Sequence, residues 1–184
     1  NMQSLHLRYS SPPARRQPPA ALPRGFTAIE LMVVIAILAV LAALAAPSFT
    51  PIVERWRVKQ ATEELQSSVY YARSEAIKRG GGITLVTSTN WDAWTVSLTQ
   101  NGTTTDLQTM SAPNKVAISQ SASKTTLYVD RWGMLSDSAG GTAQAMNFVL
   151  KPAGKADTDV SAIRLCIGVG GRLQQKSQGA ACPP

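Results

Sequence analysis

The sequence predicts an α+β fold: one long N-terminal helix, membrane-spanning in its first half and amphipathic in its second, packed on a C-terminal antiparallel β-sheet. Three patterns carry this reading. Sixteen consecutive apolar residues fill positions 31–46, a helical stripe of apolar residues runs from Val58 to Ala76, and beyond Gly80-Gly81-Gly82 the period changes to two. Apolar residues three and four apart make one face of a helix, whereas strict alternation makes one face of a strand.

Residues 1–25 are rich in Pro, Arg and Ser and lack periodicity. Pro12, Pro13, Pro18, Pro19 and Pro23 exclude a regular helix, so this stretch reads as a tail or targeting segment. It also dominates the charge: Arg8, Arg15, Arg16 and Arg24 without an acid give +4 of the net +7. The remaining 14 basic and 11 acidic side chains leave only +3 on residues 26–184, so the basicity argues little for nucleic-acid binding by the folded part.

Counted from Phe26, the apolar segment 26–46 is broken only by Thr27 and Glu30. At about 1.5 Å per residue it is about 30 Å long, the thickness of a bilayer's hydrocarbon core. Apolarity on every side argues against a buried core helix. Pro47 and Pro51 loosen or kink the helix without ending it. Val58, Ala61, Leu65, Val69, Ala72 and Ala76 then form one stripe, with Arg55, Lys59, Glu63 and Arg73 off it. Glu75 and Arg79 make a favourable pair four residues apart, and the three glycines stop the helix, which is expected over about 26–79.

Strands are expected at Ile83–Val86, around Trp94, Val96 and Leu98, and at Val116–Ser119, Thr125–Asp130, Met146–Leu150 and Ile163–Val169. Asn101-Gly102 is a strong two-residue hairpin signal. Together they predict one sheet whose core is completed by the helical stripe. Trp91, Trp94 and Trp132 read as sheet core or rim.

Catalytic and metal chemistry find little to work with. The single His is His6, in the tail, and Cys166 and Cys182 supply only two thiols where a zinc site takes about four ligands. No enzymatic activity, cofactor or metal is expected. Asp157 and Asp159 are too few for a calcium loop. A Cys166–Cys182 disulfide enclosing Gly170-Gly171-Arg172 fits an oxidising compartment.

The junction Arg24-Gly25-Phe26-Thr27-Ala28-Ile29-Glu30-Leu31 is the most specific feature. It closely resembles the class III signal of type IV pilins and type II secretion pseudopilins, although its leader is longer and more Pro-rich than most. The resemblance implies a pilin-like fold, cleavage between Gly25 and Phe26 by a prepilin peptidase, and N-methylation of Phe26. It divides the chain into a leader (1–25), an assembly and transmembrane half-helix (26–46), an amphipathic half-helix (47–79) and a periplasmic β-domain (80–184). Glu30 has a physical reason of its own. A carboxylate in a membrane helix is costly unless paired, and cleavage creates an ammonium group at Phe26 about one helical turn away. Pairing within the chain, or with the next subunit in a filament, would set register, with Pro47 as the assembly kink. The implied partners are the peptidase, other pilins or pseudopilins, an inner-membrane assembly platform and membrane lipid.

Two later segments, Leu127-Tyr-Val-Asp-Arg-Trp-Gly133 and Ile163-Arg-Leu-Cys-Ile-Gly-Val-Gly-Gly171-Arg172, resemble the GspH/FimT subgroup. In FimT-like DNA-binding minor pilins the closing loop reads Gly-Arg-x-Arg; here position 174 is Gln. Arg164, Arg172 and Lys176 are the candidate DNA contacts, able to give weak, salt-sensitive binding. A secreted protein cut near Ala43-Leu44-Ala45 is the rival reading of the apolar run, and leaves Glu30 without a role.

Overall fold

The computed structural model describes residues 25–183, so the leader call lies outside the described residues except at Gly25. The chain divides into two compact units, one ending at Ala43 and the other beginning at Leu44. Helix α1 (Ala28–Arg79) runs without a break through Pro47 and Pro51. Its start falls two residues later than expected because Thr27 caps it: Thr27 Oγ1 accepts from the Glu30 amide at 3.2 Å. In the first unit every helical residue is exposed, and exposure of the apolar run continues to Ala45. The run is therefore not the core helix of a soluble domain, and at 18 residues Ala28–Ala45 is long and apolar enough to cross a membrane.

The second unit buries the predicted stripe completely. Val58, Ala61, Leu65, Val69, Ala72 and Ala76 are each at most 1% exposed. Trp94 packs in the same cluster, and its Nε1 donates to Ser68 Oγ at 2.9 Å, which satisfies both buried polar groups. The helix ends in a Schellman motif: Gly80 has φ +77°, and the Gly81 amide bonds back to Ala76 O at 2.8 Å. Within the last turns Glu75 accepts from Arg79 Nε at 2.8 Å and Lys78 Nζ at 3.0 Å, and these two cations hold its carboxyl below the ordinary carboxylate range.

Among the described residues the strands form two sheets rather than the single one expected. The first has order β3-β2-β1-β5-β6 and the second β4-β7-β8-β9, all antiparallel. The first sheet comprises β1 (Ile83–Thr87), β2 (Ala93–Gln100), β3 (Thr103–Ser111), β5 (Thr126–Val129) and β6 (Leu135–Ser136). The second comprises β4 (Val116–Gln120), β7 (Met146–Pro152), β8 (Ile163–Ile167) and β9 (Leu173–Ser177). The split is set by β4, which follows β3 in sequence yet pairs with β7, with Ile118 opposite Leu150. Alternating residues of both sheets, among them Leu85, Val96, Leu127, Phe148, Leu150 and Leu165, join the helical stripe in one core. Trp91 and Phe148 meet edge to face, with ring centroids 4.7 Å apart.

Strands β3, β6 and β9 were not expected. The sequences of β3 (TTTDLQTMS) and β9 (LQQKS) are mostly polar because both are edge strands with much of their surface in water. The Asn101-Gly102 turn joins β2 and β3 with both residues at positive φ, 50° and 77°, as a type I′ hairpin requires. Trp132 does not reach the core: it is 68% exposed in the β5–β6 turn, with Arg131 over its ring.

Candidate functional site

Three groups of residues carry the chemistry singled out in the sequence. The first is the start of α1. Gly25 and Phe26 precede the helix and are exposed, Phe26 at 75%. Thr27-Ala28-Ile29-Glu30 has the spacing of a capping box, with Thr27 at the N-cap and Glu30 three residues on. Glu30 is exposed and lies in the first turn, where the helix dipole favours an anion. Thr27 was not singled out in the sequence, although Thr-x-x-Glu before an apolar run is a legible signal. Pro47 lies within the continuous helix.

The second is the turn between β8 and β9. Cys166 and Cys182 are joined in a disulfide with Cα atoms 5.6 Å apart, which ties the C-terminal segment back to β8. Arg172, Gln174 and Lys176 border a groove of about 560 Å³ beside the bridge, together with Asn147 and Ile167. Arg172 is exposed and Lys176 half-buried. Arg164 is occupied within the fold: its Nε donates to Gly179 O at 2.9 Å and its Nη1 to Asn147 Oδ1 at 3.1 Å. In the amide orientation that satisfies both partners, Gln174 accepts from Arg172 Nε and Nη2 at 3.0 and 2.9 Å. The residue that stands in place of a second Arg thus restrains the first. Replacing both cysteines by Ser is expected to cost about 3 kcal/mol, the chain-entropy figure for a loop of about 15 residues, and calorimetry of the double variant should show the lower melting temperature.

The third group is one that the sequence did not bring together. Arg73 projects from α1 to the turns of two hairpins, one in each sheet. Its Nε donates to Gly133 O at 2.6 Å and its Nη1 to Gly171 O. Both glycines have positive φ, +76° and +74°, and a Cβ at 171 would run into the Arg73 guanidinium. Asp130 shapes the first turn by accepting from the Trp132 and Met134 amides, each at 2.9 Å. The two glycine-terminated segments recognised in the sequence are therefore the two ends of one clamp. Of the remaining candidates, Asp157 pairs with Lys151 and Asp159 accepts from the Ser161 amide. Among the described residues, no three His, Cys, Asp or Glu side chains come together as a metal site.

The family model for type II transport protein GspH matches residues 61–171, and the model for the prokaryotic N-terminal methylation motif matches residues 23–46. No curated protein matches the chain. Among solved structures, the type IV minor pilin FimU of Pseudomonas aeruginosa PAO1 is 22% identical with a TM-score of 0.57, over 72% of this chain and 97% of that one. The minor pseudopilin EpsH from the type 2 secretion system of Vibrio cholerae is 12% identical with a TM-score of 0.54, over 68% and 99%. A helix with an exposed apolar start and a methylation motif, followed by a two-sheet domain clamped onto its second half, is a pilin-like subunit, and the chain belongs to the GspH family of type II transport proteins.

Proposed function

We propose that this subunit is a minor pseudopilin of a type II secretion system or the equivalent minor pilin of a type IV pilus, structural rather than enzymatic. It waits in the bacterial inner membrane with residues 80–184 in the periplasm. Prepilin peptidase cuts between Gly25 and Phe26, Phe26 is N-methylated, and the assembly platform draws the chain into a short filament with other pilins. The observation that carries this reading is the junction itself. Gly25-Phe26 sits exposed immediately before a Thr27-capped helix whose first stretch, the apolar residues up to 45, is exposed, with Glu30 in the first turn. Helices of this kind are stable in lipid or against one another, and a filament provides the second environment after the first. The disulfide supports an oxidising location for the β-domain. Mass spectrometry of the chain purified from its own membranes tests the proposal. The expected product starts at N-methyl-Phe26. An uncut chain, or one starting near Ala46, overturns it.

DNA capture by a filament carrying this subunit is a second reading, favoured by the groove beside the disulfide, where Arg172 and Lys176 lie together. Two cations give weak, sequence-independent contacts with phosphates. Arg172→Gln is expected to weaken duplex binding at low salt. Unchanged binding removes this groove from consideration.

A further inference from the structure

The apolarity of α1 does not stop at Ala46; it narrows. Residues 31–46 are apolar on every side, whereas in the next turns only Phe49, Ile52, Val53 and Trp56 are large and apolar. All four are exposed, Trp56 at 69%. With about 100° of rotation per residue they fall within an arc of about 100°, on the side of the helix opposite Val58 and Leu65, which face the core. Arg57 and Lys59 lie at about 80° to either side of Phe49 on the same projection, and Arg55 is exposed nearby. One further turn along, the positions that continue the stripe are Gln60, Glu63 and Ser67. The side facing away from the domain thus passes from apolar all round, to an apolar strip edged by cations, to polar.

We propose that residues 49–59 are a membrane-interface belt, with the Phe49–Trp56 strip at the boundary between acyl chains and headgroups and Arg55, Arg57 and Lys59 on the phosphates of an anionic leaflet. This rests on the membrane-anchored reading above. Its chemistry is that of interfacial helices: an aromatic and aliphatic strip for the acyl boundary, and long cationic side chains that reach the headgroups. The segment carries Glu54 against three cations, a net charge that complements anionic lipid. The belt also fixes depth. A hydrocarbon core takes about 20 helical residues, and counting that number back from Ile52 reaches Met32. Glu30 then rests among the headgroups of the other leaflet, and its carboxylate enters a dry environment only when the helix leaves the bilayer for a filament.

The test uses the full chain reconstituted in vesicles of phosphatidylethanolamine and phosphatidylglycerol, with lipids brominated either near the headgroup end or near the methyl end of the acyl chain. Comparison with Trp56→Phe separates Trp56 fluorescence from that of Trp91, Trp94 and Trp132. The expected result is strong quenching of Trp56 by the shallow bromines and weak quenching by the deep ones. In Arg57→Gln/Lys59→Gln the shallow quenching should lose its dependence on phosphatidylglycerol content. If the chain floats with the vesicles but Trp56 is quenched by neither lipid, the belt is wrong and the anchor stands. If the chain does not float, both fail. A photo-crosslinking side chain at position 56 that captures a second pilin chain instead of lipid in unassembled protein also overturns the belt.

Discussion

Replacing Glu30 by Ala should lower incorporation into the filament at least tenfold while leaving membrane insertion and cleavage at Gly25 intact. The tenfold figure corresponds to about 1.4 kcal/mol, a conservative share of what a carboxylate–ammonium pair contributes in a low-dielectric assembly. The structure makes this substitution interpretable. The cap of α1 is made by Thr27 Oγ1 and the backbone amide of residue 30, not by the carboxylate, so Ala at this position keeps that hydrogen bond. What is removed is the charge proposed to answer the new amine of Phe26. Glu30→Gln, which keeps size and polarity but not charge, should behave like Ala. Thr27→Ala, which loosens the cap by about 1 kcal/mol, should have the smaller effect on incorporation. Quantifying mature subunit in sheared filaments against membrane-held subunit gives the ratio; wild-type incorporation of Glu30→Ala would remove the proposed role of the pair.

Removing the clamp should be among the costliest changes to the folded domain outside its apolar core. Arg73→Met deletes two charge-assisted hydrogen bonds, each contributing about 1.5–3 kcal/mol, and leaves the Gly133 and Gly171 carbonyls without that donor. A loss of about 3 kcal/mol lowers the melting temperature of a domain this size by roughly 6–12 °C. Arg73→Lys should recover less than half of it, because an ammonium cannot present the two donors of a planar fork to separate turns. Gly171→Ala is destabilising for a different reason: the left-handed backbone at φ +74° and the collision of a Cβ with the guanidinium. The two changes should therefore be less than additive in Arg73→Met/Gly171→Ala, since the collision disappears with Arg73. Denaturant melts of the four proteins form a double-mutant cycle. Strict additivity would show that Arg73 and Gly171 do not act on each other.

The legible parts of this protein were local. The helical stripe from Val58 to Ala76 could be read because each residue's burial follows from its angle on one helix, and all six positions are buried. The stop at Gly80 and the hairpin at Asn101-Gly102 could be read because positive φ is a property of single residues. The signal at Gly25–Glu30 is contiguous. Strands β3 and β9 were illegible for the converse reason: as edges they have little buried face to produce an alternation. Arg164 reads in the sequence as a candidate phosphate contact, and nothing near it announces Gly179 and Asn147 as its acceptors in the fold.

By itself, then, the order of residues determined the long helix, its apolar start, the place where it ends, the α+β class and the processing motif, all of which depend on neighbours within a few positions. The division of the strands into two sheets, the hold of Arg73 on a turn from each, and the hydrogen bonds between Gln174 and Arg172 needed the whole fold. Those outcomes depend on which distant strands pair and in what register, and a pairing such as Ile118 with Leu150 is selected by burial of the whole core, a quantity no short stretch of sequence contains.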